Sequence, residues 1–381
     1  MSYSSRNRSV KIRPLKLLVT LSSLWLFSCD PIVTEFRDME DAVLYESKEF
    51  SPVADTLTER ITVMTWNIRF GAARIPWFGD SCGDRVILTE KEIESGLHGL
   101  AGKINEVAPD ILILQEVDVD AKRSLYVDQV QWLLDHTNLN YGAYASIWQA
   151  QYIPSDGLGR MDMGNAILSR WPLAEAERIQ LPLRGDQDAL TQYFYLKRNI
   201  LKAKVAVPGW ENYDFYTVGI HAAAFSTDDT KKQHIDLFEE VLDEIDDAGG
   251  FFVAGGDLNE LPPFADSTNF CDEDRCPGES ADSCRGGSDL SGETEWLFDL
   301  YDGSYMPAVP LPDLKAEEGP YFTHSVAGIS DDWNRKLDYL FTNSEWWAGP
   351  TITHQDAFDL SDHAAVSGKM IRFFNVVIPG Q

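Results

Sequence analysis

Asp359-Leu360-Ser361-Asp362-His363 sets a carboxylate beside an imidazole just ahead of an apolar, β-like run, Ala365 to Met370. Other short apolar runs end in the same manner. Trp66-Asn67, Gln115-Glu116, Gly256-Asp257-Leu258-Asn259 and Leu337-Asp338-Tyr339 close with acids or amides, and Val218-Gly219-Ile220 closes with His221. Polar groups at the ends of buried strands are costly to fold around unless they converge on something. A hard divalent cation and the phosphate it binds meet that need.

Around these runs the chain alternates strands with a few helices. Thr89 to Val107 places Ile93, Leu97, Leu100, Ala101, Ile104 and Val107 at helical spacing, and Pro109-Asp110 breaks it. A second helix is expected over Tyr126 to His136, and a third over Thr230 to Asp246. Strands are expected at Ile61 to Trp66, Ile111 to Leu114, Asn165 to Leu168, Lys197 to Val207, Tyr213 to Ile220, Phe251 to Ala254, Leu337 to Thr342 and Ala365 to Ile371. Strands that mostly follow one another predict a layered α+β body, two sheets face to face with helices outside. Two segments read as insertions: residues 72–85, with Cys82, and residues 264–295, rich in acids, glycine and serine. The acids Asp272, Glu273 and Asp274 read as a solvated loop, with calcium binding as the competing use.

The first 28 of the 381 residues differ in kind. Arg6, Arg8, Lys11, Arg13 and Lys16 precede the apolar run Leu17 to Phe27, with no acid among them. That run is too short for a bilayer span, which needs roughly 20 residues, and fits the apolar region of an export signal. Leu26-Phe27-Ser28-Cys29 resembles a bacterial lipoprotein box, which implies lipidation of Cys29 and a membrane anchor. Residues 29–59 then read as an acidic tether. Loss of the leader's five basic residues takes the net charge from −29 to −34, unfavourable for non-specific attraction of polyanions. With Cys29 lipidated, Cys82, Cys271, Cys276 and Cys284 remain, and an even count in an exported chain suggests two disulfides in one of three connectivities. A zinc site is the competing use, although their spacing lacks paired C-x₂-C knuckles.

Taken in order, Thr65-Trp66-Asn67, Leu114-Gln115-Glu116, Gly164 to Arg170, His221, Gly256-Asp257-Leu258-Asn259, Leu337-Asp338-Tyr339 and Ser361-Asp362-His363 resemble the endonuclease/exonuclease/phosphatase superfamily. That superfamily holds DNase I-like nucleases, exonuclease III-like repair enzymes, sphingomyelinases and inositol polyphosphate 5-phosphatases. The resemblance runs from about Ile61 to Met370. It implies a four-layer α/β/β/α sandwich of two mainly antiparallel sheets, spanning residues 60–375, that hydrolyses phosphate esters.

Such hydrolysis needs phosphate charge neutralised, a water deprotonated and aimed, and the leaving oxygen stabilised. Glu116 is a hard oxygen donor for Mg²⁺ (or Mn²⁺ or Ca²⁺), with Asn67 positioning it and Asp362 free to face the metal. His363 is the expected general base, since imidazole titrates near working pH, and the resemblance makes Asp338 its partner. By the same resemblance Asp257 and Asn259 orient the nucleophile and donate to a phosphate oxygen. His221 contacts the phosphate or leaving group from the opposite side, and Asn165 supports substrate binding. Arg69, Arg160, Arg170 and Arg335 are expected to add positive charge near the cleft. His98, His136, His234, His324 and His354 lie outside the motifs and read as structural or surface residues.

The substrate is open at this level. Asn67-Ile68-Arg69 lacks the acid that abasic-site nucleases carry two positions after this asparagine, which disfavours repair. The leading expectation is an exported, monomeric, membrane-tethered Mg²⁺-dependent phosphodiesterase with a nuclease-like site, on the periplasmic or cell-surface face of a bacterial membrane. A phospholipase C of the sphingomyelinase type, an inositol-phosphate phosphatase and a non-catalytic surface binding module are the alternatives. Exposed aromatics in a loop beside the site would favour the phospholipase; Trp77-Phe78 and Trp346-Trp347 are candidates, with burial in the core as the competing use of either pair.

Overall fold

Period-two alternation along the strand Arg60–Asn67 (β3) sets the layers: Ile61 and Val63 join one buried cluster, Met64 and Trp66 another. Strand Ile111–Asp118 (β4) divides likewise, with Ile111 and Ile113 on one face and Leu112 and Leu114 on the other. The computed structural model describes residues 32–53, 58–293, 295–303, 305–344 and 346–371.

Among them, β3 and β4 share an eight-stranded sheet with β2 (Val43–Glu46), β5 (Tyr141–Ile153), β6 (Gly159–Ser169), β13 (Trp346–Trp347), β14 (Ile352–Thr353) and β15 (Val366–Ile371). Seven strands form the second sheet: β1 (Met39–Asp41), β7 (Leu173–Gln180), β8 (Asn199–Val205), β9 (Phe215–His221), β10 (Phe251–Asp257), β11 (Met306–Pro307) and β12 (Asp338–Thr342). Among the described strands only β3–β4 and β9–β10 pair parallel.

The cluster between the sheets joins Ile61, Val63, Ile113 and Ile167 to Leu201, Phe215, Val253 and Leu340. On the outer face of the first sheet lie α1 (Glu90–Val107) and α2 (Gln129–His136), through Leu97, Leu100, Ile104, Leu133 and Leu134. A short α3 (Ala189–Phe194) follows, and α4 (Thr230–Asp247) covers the second sheet with Ile235, Phe238, Leu242 and Ile245. The result is the four-layer sandwich expected, and each fully buried Leu, Ile or Phe adds about 1.5–3 kcal/mol to it.

Local chemistry places the helix ends. Thr89 and Glu92 form a reciprocal capping box, and left-handed Ala108 ends α1 before Pro109. The expected helix from Tyr126 begins only at Gln129, because Leu125 and Tyr126 hold positive φ and Asp128 supplies the cap. Strand β5 has no counterpart in the sequence reading; its register shifts at Ser146/Trp148 and Ala150/Ile153 break the alternation that would have revealed it.

The expected tether over residues 29–59 is in part folded structure. Val33 bridges to Ala150, β1 pairs with β7 in one sheet, and β2 pairs with β5 in the other. Residues 33–46 therefore belong to the folded body, which starts earlier than residue 60. Edge strands need no strong apolar pattern, since their backbone bonds carry the pairing and one face meets water. The leader and Cys29 lie outside the described residues.

The four remaining cysteines form Cys82–Cys276 and Cys271–Cys284. The first joins the two insertions to each other. The acid cluster separates by role: Asp274 is buried against Arg335, at 2.5 Å, and Ser288, at 2.6 Å, while Asp272 pairs with Arg275.

Candidate active site

Strand register gathers the motifs. In the second sheet Asp257 stands opposite His221 on β9 and opposite Asp338 on β12. In the first, Asn67 stands opposite Gln115, and a register shift between Leu114 and Val117 throws Glu116 out of the ladder. Glu116 holds φ 57°, a left-handed conformation that costs a non-glycine residue roughly 1 kcal/mol or more and gathers at functional sites. Gly256 has φ +141°, and a Cβ there would meet the Ile220 carbonyl oxygen at 2.0 Å, so only glycine lets β9 and β10 approach ahead of Asp257.

Asp257 Oδ2 is the hub. It lies 3.0 Å from Asn67 Nδ2, 3.4 Å from His221 Nε2 and 3.6 Å from His363 Nε2. Asn67 Nδ2 also donates to Glu116 Oε1 at 3.2 Å, and His363 Nδ1 meets Asp338 Oδ2 at 2.8 Å. Asp257 Oδ1 accepts from the Asn259 backbone N–H at 2.9 Å, while the Asn259 side chain donates to Ala222 O. Asn165 lies lower, between the sheets: its Nδ2 donates to Asn199 O at 3.1 Å, and it lines neither cavity described below.

Asp362 is not free, as had been expected. Its Oδ2 lies 3.0 Å from Arg69 Nε, which also donates to Asp80 at 3.0 Å, because the tight turn after Asn67 folds Arg69 inward. Asp80 was missed: it comes from the 72–85 insertion, outside every motif. His324, expected to be structural or at the surface, is half-buried in the catalytic cavity with its ring centroid 4.5 Å from that of His363. Arg198, also missed, donates to the His221 carbonyl at 3.1 Å and borders the same cavity.

Two of the four expected arginines are elsewhere. Arg170 pairs with Asp110 at the opposite end of β4 from Glu116, about 20 Å away at strand rise. Arg160 pairs with Asp120, half exposed. Arg335 lines the cavity, held by Asp274.

The two imidazoles are driven apart. Burial pushes His221 well below its usual value, aided by Arg198 and His363. Burial opposes the charge on His363 as well, but Asp338 and Asp257 outweigh it and raise its pKa to about 10. Burial, then Asp362 and Asp80, lifts Glu116 to about 7. Burial likewise raises Asp257, against the pull of His363. The expected general base is thus imidazolium when these carboxylates are uncompensated by a cation, rather than titrating near working pH.

Asp80 and Asp362 both pair with Arg69, Glu116 lies beside them bonded to Asn67, and these hard oxygen donors fit a divalent cation held by Glu116 with Asn67 behind it. A second acidic group, Asp257, Asp338 and His363, also brings ligand-type atoms within 4.8 Å of one another. There Asp338 is committed to the imidazole, an arrangement suited to proton handling rather than to a metal.

Oxygen ligands facing a pair of oppositely tuned imidazoles, at the mouth of a two-sheet sandwich, define a phosphate-ester hydrolase. Residues 64–363 match the Endonuclease/Exonuclease/phosphatase family, and the chain belongs to it. No curated protein matches the sequence. An endonuclease/exonuclease/phosphatase from Beutenbergia cavernae DSM 12333 is similar in structure, at 20% identity and TM-score 0.54 over 83% of this chain and 72% of that one. A family protein from Leptotrichia buccalis C-1013-b is similar at 15% identity and TM-score 0.51, over 82% of this chain and 100% of the other. At such identities the likeness speaks to the fold.

Proposed function

We propose that this chain is an exported, membrane-tethered, Mg²⁺-dependent phosphodiesterase with a nuclease-like site. The observation that carries the reading is the Asp257 hub, with His221 and His363 both reaching it and Asp338 behind His363. When bound at Glu116, the cation would neutralise phosphate oxygens and offset the carboxylate field that keeps His363 protonated. Asp257 and the Asn259 backbone N–H it accepts from place a water for in-line attack on phosphorus. One P–O bond forms and the ester P–O bond breaks. The water's proton passes to His363 in its neutral form, with Asp338 stabilising the imidazolium. Neutral His221 hydrogen-bonds the phosphoryl and leaving oxygens through its Nε2–H, and the proton taken up by His363 returns through solvent to the leaving oxygen, which ends as an alcohol beside a phosphate monoester. Arg198 and Arg285, hydrogen-bonded to carbonyls and to cysteine sulfur, add positive charge at the cavity.

Export and lipidation rest on the basic leader and the Leu26-Phe27-Ser28-Cys29 box. Among the described residues no helix is long and apolar enough to cross a membrane. The test is hydrolysis of bis(p-nitrophenyl) phosphate and nicking of plasmid DNA by purified protein with Mg²⁺. Activity on the diester that His363→Ala removes is expected; equal activity of that variant would overturn the reading.

A further inference from the structure

A second cavity, of about 550 Å³, opens directly from the catalytic one: Asp80, Glu116, Arg198, His221 and Phe225 border both. Its volume falls within the range of small-molecule sites. Away from the shared end its wall is made by Phe78, Trp148, Leu158, Met163, Leu190 and Phe194. The polar side chains along that wall are already engaged. Arg123 is held by Asp118 through two bonds, of 3.0 and 2.9 Å, Thr191 Oγ1 donates to Asp188, Ser155 donates to Asp156, and the Tyr195 hydroxyl accepts from Arg184. A nucleobase placed there would leave its hydrogen-bonding edge poorly matched, at the cost of burying unsatisfied polar groups. An aliphatic group loses nothing. Leu190, 69% exposed, stands at the rim, where an aliphatic group entering the cavity would cover it.

Resting on the phosphodiesterase reading, we propose that this slot binds an apolar, aliphatic substituent of the substrate, so that the ester cleaved is an amphipathic organophosphate rather than a nucleic acid. The phosphate then sits by Glu116 and His221, with the hydrocarbon running past Phe225 between Phe78 and Leu190. The insertion of residues 72–85 serves both ends of the substrate: Asp80 faces the reacting phosphate and Phe78 faces the tail. The strongly acidic body agrees, since it disfavours a polyanionic substrate while leaving a singly charged diester free to enter.

The test is a chain-length series of p-nitrophenyl alkyl phosphates, methyl to octyl, assayed with Mg²⁺, together with calorimetric binding of methyl and octyl phosphate to the same protein. Octyl is expected to exceed methyl at least tenfold in kcat/KM, mainly through KM, and to bind at least tenfold tighter. Leu190→Gln, on the exposed rim and outside the catalytic machinery, should shrink both advantages while leaving methyl ester turnover unchanged. Equal kcat/KM and equal binding across the series would overturn the slot and leave the phosphodiesterase standing. Length-dependent binding without turnover of any ester would uphold the slot and sink the phosphodiesterase. Dioleoylphosphatidylcholine vesicles as a further substrate distinguish the source: cleavage there makes the tail a membrane lipid's, and cleavage of soluble esters alone makes it that of a small organophosphate.

Discussion

Asp338 Oδ2 lies 2.8 Å from His363 Nδ1, and the two residues come from strand ends 25 positions apart in different sheets. The bond fixes the imidazole so that Nε2 faces Asp257. It also supplies much of the field that raises the His363 pKa. His363→Ala should cut diester hydrolysis by roughly 10²–10⁴, the usual worth of a positioned acid–base group. Asp338→Asn should cut it less and should lower the His363 pKa observed by NMR. An unchanged titration in that variant would show that Asp338 does not hold the proton.

Glu116 is bonded to Asn67 beside Asp80 and Asp362, the two carboxylates paired with Arg69. Glu116→Gln should raise the Mg²⁺ concentration for half-maximal activity by at least 10-fold, in line with what altered metal shells cost. Chelation should abolish activity of the unaltered protein and re-addition of Mg²⁺ restore it. Identical Mg²⁺ curves for the two proteins would place the cation elsewhere.

The Cys82–Cys276 disulfide anchors the loop that carries Asp80 to the loop that carries Asp274 and Arg285, and all three residues border the cavity. Replacing both cysteines with serine should lower kcat/KM by about 10-fold or more, because small displacements near the chemistry are expensive. The 13-residue link Cys271–Cys284 closes a loop within one insertion, so its removal should disturb catalysis less. The measurement is kcat/KM for both double variants, alongside thermal melts that report whether the sandwich persists.

His234 lies on the buried face of α4 as a neutral ring, accepting from Ala223 N–H at Nδ1 and bonded to Pro182 O through Nε2. Burial lowers its pKa to about 4. The unfolded chain, near 6.5, therefore binds more protons between those values. Stability from this group is complete above about 6.5 and lost as pH falls through 4, on the order of 3 kcal/mol in all. The test is denaturant unfolding from pH 7 to pH 4, where His234→Gln should flatten the loss; parallel curves would show that another group carries it.

In the proposed function Cys29, outside the described residues, carries the membrane attachment. Cys29→Ser should move the protein from the membrane to the soluble fraction on cell fractionation. Retention of the variant on membranes would refute lipidation.

The site motifs and most of the inner strands were legible because they are local. Alternation in β3 and β4 and the 3.6-residue period in α1 and α4 record which face each element buries, and strand-end polar residues mark where strands stop. The edge strands β1 and β2 and the bulged β5 left no such record, since backbone pairing and register slips do not alter composition in a readable way.

By itself, then, the sequence determined that buried strands end in acids, amides and imidazoles in an order that resembles one superfamily. What the tertiary structure alone decided is which charges meet. Asp80 and His324 join the cavity, Arg170 leaves it, Arg69 claims Asp362, and an apolar slot opens beside Glu116. The reason is that pKa, ion pairing and cavity shape depend on distances of a few ångströms between residues far apart in the chain, and periodicity within a segment carries no information about them.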